Sequence, residues 1–309
     1  MIILVTGASG FIGRNMFSSV EKDIFLRKLY RSAVKDKFES DEVLFIESID
    51  GSTNWDGYLH QVDVVIHLAG VAHNKNNNEN ELFEINTRGT IRLAEESARQ
   101  GVKRFVFVSS IGVNGSTTGA LPFSADSKEN PQNSYARSKY EAELALKSLE
   151  RKTDLEVVII RSPLIYGRNA PGNFGLLVKL IDKLPILPFG ITNNHKSFIF
   201  VNNLVDLLIT CATHPGASGQ TFLASDGESV STYQFTNAIA TGMGKKIVHL
   251  PIPPRFMRLV GKVLGKSLIV EQLCGDLEVD SSKLKEVLGW IPPFTMKQAM
   301  ATLRDSGVE

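Results

Sequence analysis

Eight residues near the start of the chain do most to limit what it can fold into. Thr6-Gly7-Ala8-Ser9-Gly10-Phe11-Ile12-Gly13 follows directly on the apolar run Ile2-Ile3-Leu4-Val5. Gly7 permits a tight turn, Gly10 lets backbone approach a pyrophosphate, and Gly13 allows a helix to pack closely on a strand. A helix beginning near Phe11 would turn free N–H groups and the positive end of its dipole toward the phosphates. Three glycines alone are a weak signal, and their place between a buried strand and a helix is the context that gives them meaning. Ser9, Phe11 and Ile12 fall in the same turn and join Gly7, Gly10 and Gly13 as candidate dinucleotide-binding residues.

Further along, short runs rich in Val and Ile recur at Ile24–Leu29, Val43–Ile46, Val62–Leu68, Arg104–Val108 and Val157–Ile160. Their near-continuous hydrophobicity is that of parallel strands covered on both faces. Between them lie stretches with helical spacing of apolar residues, Phe83–Gln100 and Ser134–Arg151. Repeated strand–helix–strand units imply an α/β fold, a Rossmann-type doubly wound parallel sheet. After Arg161 the rhythm breaks at Pro163, Pro171, Pro185 and Pro188, and shorter elements follow, among them Leu204–Ala212, Thr232–Gly242 and Phe256–Leu264. This predicts a dinucleotide-binding domain over 1–162, completed by about 203–225, and a smaller mixed α/β C-terminal substrate domain over 163–202 and 226–309. A ligand would bind between them, at the carboxyl ends of the strands. The Asn-rich stretch His73–Asn80 reads as a mobile loop.

Composition excludes several classes. A net charge of +1 provides no global field for nucleic acid or an anionic membrane. Two cysteines, Cys211 and Cys274, suffice for neither a disulfide framework nor a four-ligand metal site, and both read as core residues. No uncharged apolar stretch reaches the ~18 residues of a membrane span, and no signal peptide is recognisable at the start, so the cytosol is expected. Over Pro254–Leu264 the residues Arg255, Arg258, Lys262 and Lys266 share one helical face and Phe256, Leu259, Val260, Val263 and Leu264 the other. We read this as a solvated basic face over a core stripe, against the alternative of a helix lying on a membrane.

The second strand should separate NAD from NADP, since a carboxylate at its end binds a ribose hydroxyl whereas an arginine accommodates a 2′-phosphate. Here the chain reads Tyr30-Arg31-Ser32, with no carboxylate until Asp36. Arg31 is therefore the candidate phosphate clamp, aided by Ser32, and NADP(H) is favoured with NAD(H) possible. Ser48 and Ile49, past the third strand, are placed with the cofactor set. Tyr135 and Lys139 are four residues apart, on one helical face. An ammonium beside a phenol lowers its pKa toward the range of useful acid–base chemistry. Ser110, at the end of the fifth strand, can hydrogen-bond a substrate oxygen in the crevice.

Taken together, Gly7–Gly13, His67-Leu68-Ala69-Gly70, Asn86 in Asn-Thr-Arg-Gly-Thr, Ser109-Ser110 and Tyr135-x-x-x-Lys139 resemble the extended short-chain dehydrogenase/reductase family over essentially the whole chain. The resemblance implies Ser110, Tyr135 and Lys139 as the catalytic set, and Leu68, Ala69 and Gly70 along the cofactor's ribose and phosphate. It also implies Ser109 beside the cofactor, Asn86 holding backbone behind the site, and His67 as a packing residue. Arg161-Ser162-Pro163-Leu164-Ile165-Tyr166-Gly167 and Gly172-Asn173-Phe174 are similar to the UDP-glucose 4-epimerase branch. That likeness brings Pro163 and Leu164 to the nicotinamide, Asn173 and Lys196 to a sugar nucleotide's diphosphate, and Phe189 to its uracil. Three positions depart from the branch: Lys196 and Leu273 stand where arginines are usual, and Asn114 where a tyrosine is. Ser109–Gly115 and Lys196–Leu204 look closer to bacterial surface-polysaccharide reductases similar to UDP-N-acetylquinovosamine dehydrogenase. Such a resemblance implies reduction of the 4-keto group of a UDP-2-acetamido-2,6-dideoxyhexosulose by a homodimer. The alternatives are a UDP-glucose or UDP-N-acetylglucosamine 4-epimerase and a non-catalytic redox sensor, the latter opposed by the retained Tyr135 and Lys139.

Overall fold

The computed structural model describes residues 1–16, 23–31, 42–72 and 79–304. In chain order the first part comprises β1 (Ile2–Thr6), α1 (Phe11–Met16), β2 (Phe25–Tyr30), β3 (Glu42–Phe45), β4 (Val64–His67), α2 (Glu79–Phe83), α3 (Thr90–Arg99), β5 (Arg104–Ser110), α4 (Ser134–Glu150) and β6 (Glu156–Ser162). Between α2 and α3 the helix widens into one π-helical segment, Glu84–Gly89. The second part runs through β7 (Leu164–Tyr166), α5 (Gly172–Lys183), β8 (Ile186–Leu187), β9 (Lys196–Phe200), α6 (Val201–Thr213), β10 (Thr221–Leu223), β11 (Ser229–Val230), α7 (Thr232–Gly242), β12 (Val248–His249), α8 (Pro254–Val263), α9 (Ser267–Cys274), α10 (Ser282–Leu288) and α11 (Met296–Ala301).

A seven-stranded sheet in the order β10-β6-β5-β4-β1-β2-β3 carries the site, and every pairing in it is parallel. Both faces are covered, which explains the continuous hydrophobicity of its strands. Ile3, Val5, Val64, Ile66, Val106, Val108, Val158 and Ile160 enter one core cluster. Their neighbours Leu4, Val65, Phe105, Phe107, Val157 and Ile159 enter the cluster on the other face. That is the two-residue period of a pleated strand read at every step. Strand order reverses between β1 and β4, so a crevice opens there at the carboxyl ends of the strands.

Smaller sheets, β11-β9-β7 and β12-β8, belong to the second part. Its own core is aromatic: Tyr166, Phe174, Phe198, Phe200 and Phe235 pack together, with Phe198 and Phe235 stacked at 3.8 Å between ring centroids. Phe11 reaches from the glycine turn into this cluster.

Three expectations need correction. The stretch expected as one helix over Phe83–Gln100 starts earlier, at Glu79, and contains the π segment. Of the Asn-rich stretch, Glu79 and Asn80 are helical, and 73–78 lie outside the described residues. In α8 only Gly261 is buried, so the apolar stripe of Phe256, Leu259, Val260, Val263 and Leu264 is no core stripe. The helix packs through its third side, where Gly261 leaves no room for a Cβ against Val270 of α9. Cys211 and Cys274 are free and buried, as expected of core residues. No helix among the described residues is long and apolar enough to cross a membrane.

Candidate active site

The glycine turn is set by close contact. Gly7 has φ +69°, and a Cβ on it would lie 2.8 Å from the Ala69 nitrogen. One on Gly13 would lie 2.6 Å from the Gly7 carbonyl oxygen. Turn, β4 end and α1 are thus pressed together, and larger residues at these positions would push them apart.

Beside this turn lies a cavity of about 1080 Å³. Gly7, Ser9, Gly10, Leu68, Ala69 and Gly70 line it, together with Arg31, Ser48 and Ile49. A volume of this size accommodates a dinucleotide, and the phosphate end meets glycine backbone and a helix N-terminus, so the residues present fit such a cofactor. Arg31 is exposed at the end of β2. Ser32 and Asp36 lie outside the described residues. Phe11, Ile12, Gly13, Ser109, Tyr135, Lys139, Pro163 and Leu164 are not on this wall; Gly13 is pressed against Gly7 and Ala8, while Phe11 and Ile12 pack into the two cores. Pro163 joins β6 to β7, which begins at Leu164.

Gly70 connects the cavity to the catalytic candidates. A Cβ there would lie 3.0 Å from Asn86 Oδ1 and 3.3 Å from Lys139 Nζ. Asn86, within the π segment, accepts from the Val71 N–H at 2.8 Å and donates to the Val71 carbonyl at 2.9 Å and to Ser138 Oγ at 3.1 Å. It therefore clamps the loop after β4 to α4, the role expected of it. A π segment inside a helix often marks such a site, because the extra residue frees side chains and backbone for other bonds. The sequence reading missed this segment.

His67 is fully buried and does no titration near neutrality, since burial, with the charge of Lys139 beside it, pushes it down to about 3. Thr90 donates its hydroxyl proton to the Asn86 carbonyl, so it accepts from His67 Nε2 at 3.0 Å. His67 Nδ1 is left to accept from Thr6 Oγ1 at 2.7 Å. The chain of bonds ties the ends of β1 and β4 to the helix behind them, and His67 packs and positions.

Helix α4 starts under an Asn133 cap, whose Oδ1 accepts from the Ala136 N–H at 2.8 Å. Tyr135 lies in its first turn, half-buried, with the phenol pushed up to about 12 by burial. Lys139 is buried one turn later; its Nζ donates to the Val108 carbonyl at 3.1 Å and lies 4.6 Å from the Phe107 ring centroid. Burial lowers its pKa to about 8, opposed by Glu143. Ser110 Oγ accepts from the Gly112 N–H at 3.1 Å, and a Cβ on Gly112 would touch both Ser110 Oγ and Ala136. The end of β5 and the first turn of α4 are therefore adjacent.

Ser109 faces the other way, donating to Glu143 Oε1 at 2.5 Å. Glu143 and Arg161 are both fully buried and paired at 2.6 Å, and Arg161 also donates to Glu129 at 3.0 Å and Asn114 at 3.1 Å. Ser109 therefore holds β5 to α4 and lies off the cavity wall. Asn114, where a tyrosine was expected, is a partner of Arg161 instead. The sequence reading missed this cluster, although Arg161 at the end of an apolar strand was a signal: a buried guanidinium requires an anionic partner.

The substrate candidates are scattered over the second part. Asn173, exposed at the start of α5, donates to Gln272 of α9 at 3.3 Å. Lys196 opens β9, half-buried, its pKa lowered by burial against the opposing charge of Asp276. Phe189 is buried in the aromatic core, its ring 6.3 Å from that of His249. Leu273 packs against that core and supplies no charge.

Comparison with known proteins agrees with this geometry. A family model described as the NAD dependent epimerase/dehydratase family matches residues 3–224. A UDP-glucose 4-epimerase of Vibrio cholerae is 42% identical over 305 residues, 96% of this chain and 92% of that one. Two crystal structures share the fold. UDP-glucose 4-epimerase of Thermotoga maritima with UDP-glucose has a TM-score of 0.76 at 23% identity, covering 98% and 97% of the two chains. RMD of Pseudomonas aeruginosa with NADPH has a TM-score of 0.74 at 19% identity, covering 98% of each. With the family model matched over most of the chain and a relative this similar along nearly its whole length, the chain belongs to the nicotinamide-dependent epimerase/dehydratase family.

Proposed function

We propose that this chain reduces the 4-keto group of a UDP-2-acetamido-2,6-dideoxyhexosulose with NADPH, in the synthesis of a surface polysaccharide. The observation that carries the reading is Arg31, a cation on the cofactor cavity at the end of β2 that makes no ion pair among the described residues, where a 2′-phosphate would meet it. NADPH is the cell's reductant, and a reductase consumes and releases its cofactor at each turnover. Bound nicotinamide would supply a hydride to C4. Tyr135, a phenol protonated at neutral pH and held so more firmly by burial, gives its proton to the C4 oxygen as the alcohol forms. Ser110 steadies that oxygen by hydrogen bonding, and Lys139 holds the cofactor's ribose and eases loss of the Tyr135 proton. Pro163 and Leu164 border the nicotinamide, Asn173 and Lys196 hold the nucleotide end of the substrate, and the segment at Phe189, whose ring is buried, borders its uracil. In this reading 1–162 with 203–225 binds cofactor, 163–202 with 226–309 binds substrate, and two copies pair beside α4.

The V. cholerae relative favours a second reading, the 4-epimerase, in which oxidised nicotinamide would accept the C4 hydride and return it to the opposite face while the same residues take and return the hydroxyl proton. Incubation with NADPH and the UDP-4-keto sugar separates the two. We expect one NADPH consumed per sugar reduced, a clear preference over NADH, and loss of most of that preference in Arg31→Ala. Interconversion of UDP-N-acetylglucosamine and UDP-N-acetylgalactosamine at a comparable rate, with no net cofactor consumed, establishes the epimerase instead.

A pH dependence follows from Lys139. Its folded pKa is depressed to about 8, so the ammonium is present below that pH and lost above it. The kcat/KM for cofactor reports the enzyme before the cofactor binds. It should therefore fall about tenfold per pH unit above 8, and Lys139→Arg, which stays charged, should flatten that limb. A limb of unchanged position in Lys139→Arg removes Lys139 as its source.

A further inference from the structure

We propose that the α8–α9 hairpin docks the protein on an anionic lipid bilayer. Residues 262–269, the end of α8 and the start of α9, are all exposed. Val263 is 79% exposed, Leu264 65%, Leu268 81% and Ile269 51%, continuing the stripe of Phe256 and Leu259, 55% and 59% exposed. Phe256, Leu259 and Val263 share one face of α8 by their spacing, and Val263, Leu264, Leu268 and Ile269 bracket the tip, where Gly265 turns the chain at φ +64°. The basic residues Arg255, Lys262 and Lys266 flank the stripe and make no ion pair among the described residues. Arg258 is the exception, its guanidinium donating to both oxygens of Glu271 on α9 at 2.9 and 3.2 Å.

The charge selects the occupant. Residues 254–274 hold four cations and one carboxylate in a chain whose net charge is +1. A second copy would set these cations against one another, and a neutral apolar groove would leave them without partners. A surface of phosphate headgroups over acyl chains accepts both features, with cations at headgroup level and the apolar side immersed below them. Each cation near such a surface strengthens binding about fivefold.

The hairpin is fixed to the rest of the protein by Met257 and Leu273, which pack against the aromatic core, and by Gln272, which accepts from Asn173. Docking would therefore set the second part of the molecule, with Asn173 and Lys196, against the membrane face. The docking itself is independent of which sugar or reaction is assigned.

Co-sedimentation of the full chain with vesicles tests it. We expect binding to phosphatidylcholine mixed with phosphatidylglycerol, and at least tenfold less to phosphatidylcholine alone. Val263→Glu with Leu268→Glu should weaken binding by an order of magnitude or more. Lys262→Glu with Lys266→Glu should do so in a salt-sensitive way. All these side chains are exposed, so the variants should melt as wild type does, and the melt guards against unfolding as the cause. Wild-type protein that stays in the supernatant with anionic vesicles overturns the proposal, as does a Val263→Glu/Leu268→Glu variant that still sediments. If those substitutions instead convert a dimer to a monomer by analytical ultracentrifugation while vesicles bind neither form, the hairpin is an interface between copies.

Discussion

Tyr135→Phe should lower turnover by about 10²–10⁴-fold, the span general acid–base groups contribute, while fold and cofactor affinity persist. The expectation of an intact fold rests on bonding. Among the described residues the Tyr135 hydroxyl makes no hydrogen bond to protein, so removing it strands no partner. The ring stays in place on the first turn of α4, held by the Asn133 cap. Activity should suffer because, among the described residues, no other acid stands beside Tyr135 to take its place. Lys139, one turn along, is occupied with the Val108 carbonyl, and His67 is locked neutral between two threonines. Steady-state turnover with a thermal melt and a cofactor titration checks all three clauses. A variant retaining more than half of wild-type turnover, with its melt unchanged, would show that the proton comes from elsewhere.

Legibility in the sequence followed the range of the interactions. The strands and glycine turn were readable because each rests largely on a few consecutive residues: the pleat sorts Ile3 from Leu4, Gly7 takes φ +69°, and Gly13 is pressed against Gly7 and Ala8 in its own turn. The cavity wall at Gly70 was readable only through family likeness, since its reason, contact with Asn86 and Lys139, lies in residues far along the chain. The amphipathic pattern of α8 was visible, but a pattern states only that two faces differ. Which face the fold covers is decided by Val270 against Gly261, and the answer was neither of the two faces weighed. The π segment left no periodic trace, because one extra residue in a turn is smaller than the scatter of apolar spacing.

Least legible of all was the pair beneath the site, and disturbing it should have the largest effect on stability. Glu143→Leu removes the carboxylate that meets Arg161 at 2.6 Å and Ser109 at 2.5 Å. Arg161 is fully buried and would keep only Glu129 and Asn114. Breaking one side of a buried pair costs about 3–5 kcal/mol, because the other charge remains without water. Glu129 persists as a partial partner, so the lower part of that range is expected. By contrast, Arg137→Ala, which breaks an exposed pair with Glu79, should cost no more than about 1 kcal/mol. Removing both charges, in Glu143→Leu with Arg161→Met, should recover much of the loss, since an apolar pair needs no desolvation. Urea titration of the four proteins distinguishes a buried pair from simple loss of packing: if the double variant is less stable than Glu143→Leu, packing and not charge is at stake. The same carboxylate opposes the burial that lowers Lys139. Its removal should therefore carry the alkaline limb of kcat/KM to lower pH, an effect that a merely structural Glu143 would not produce.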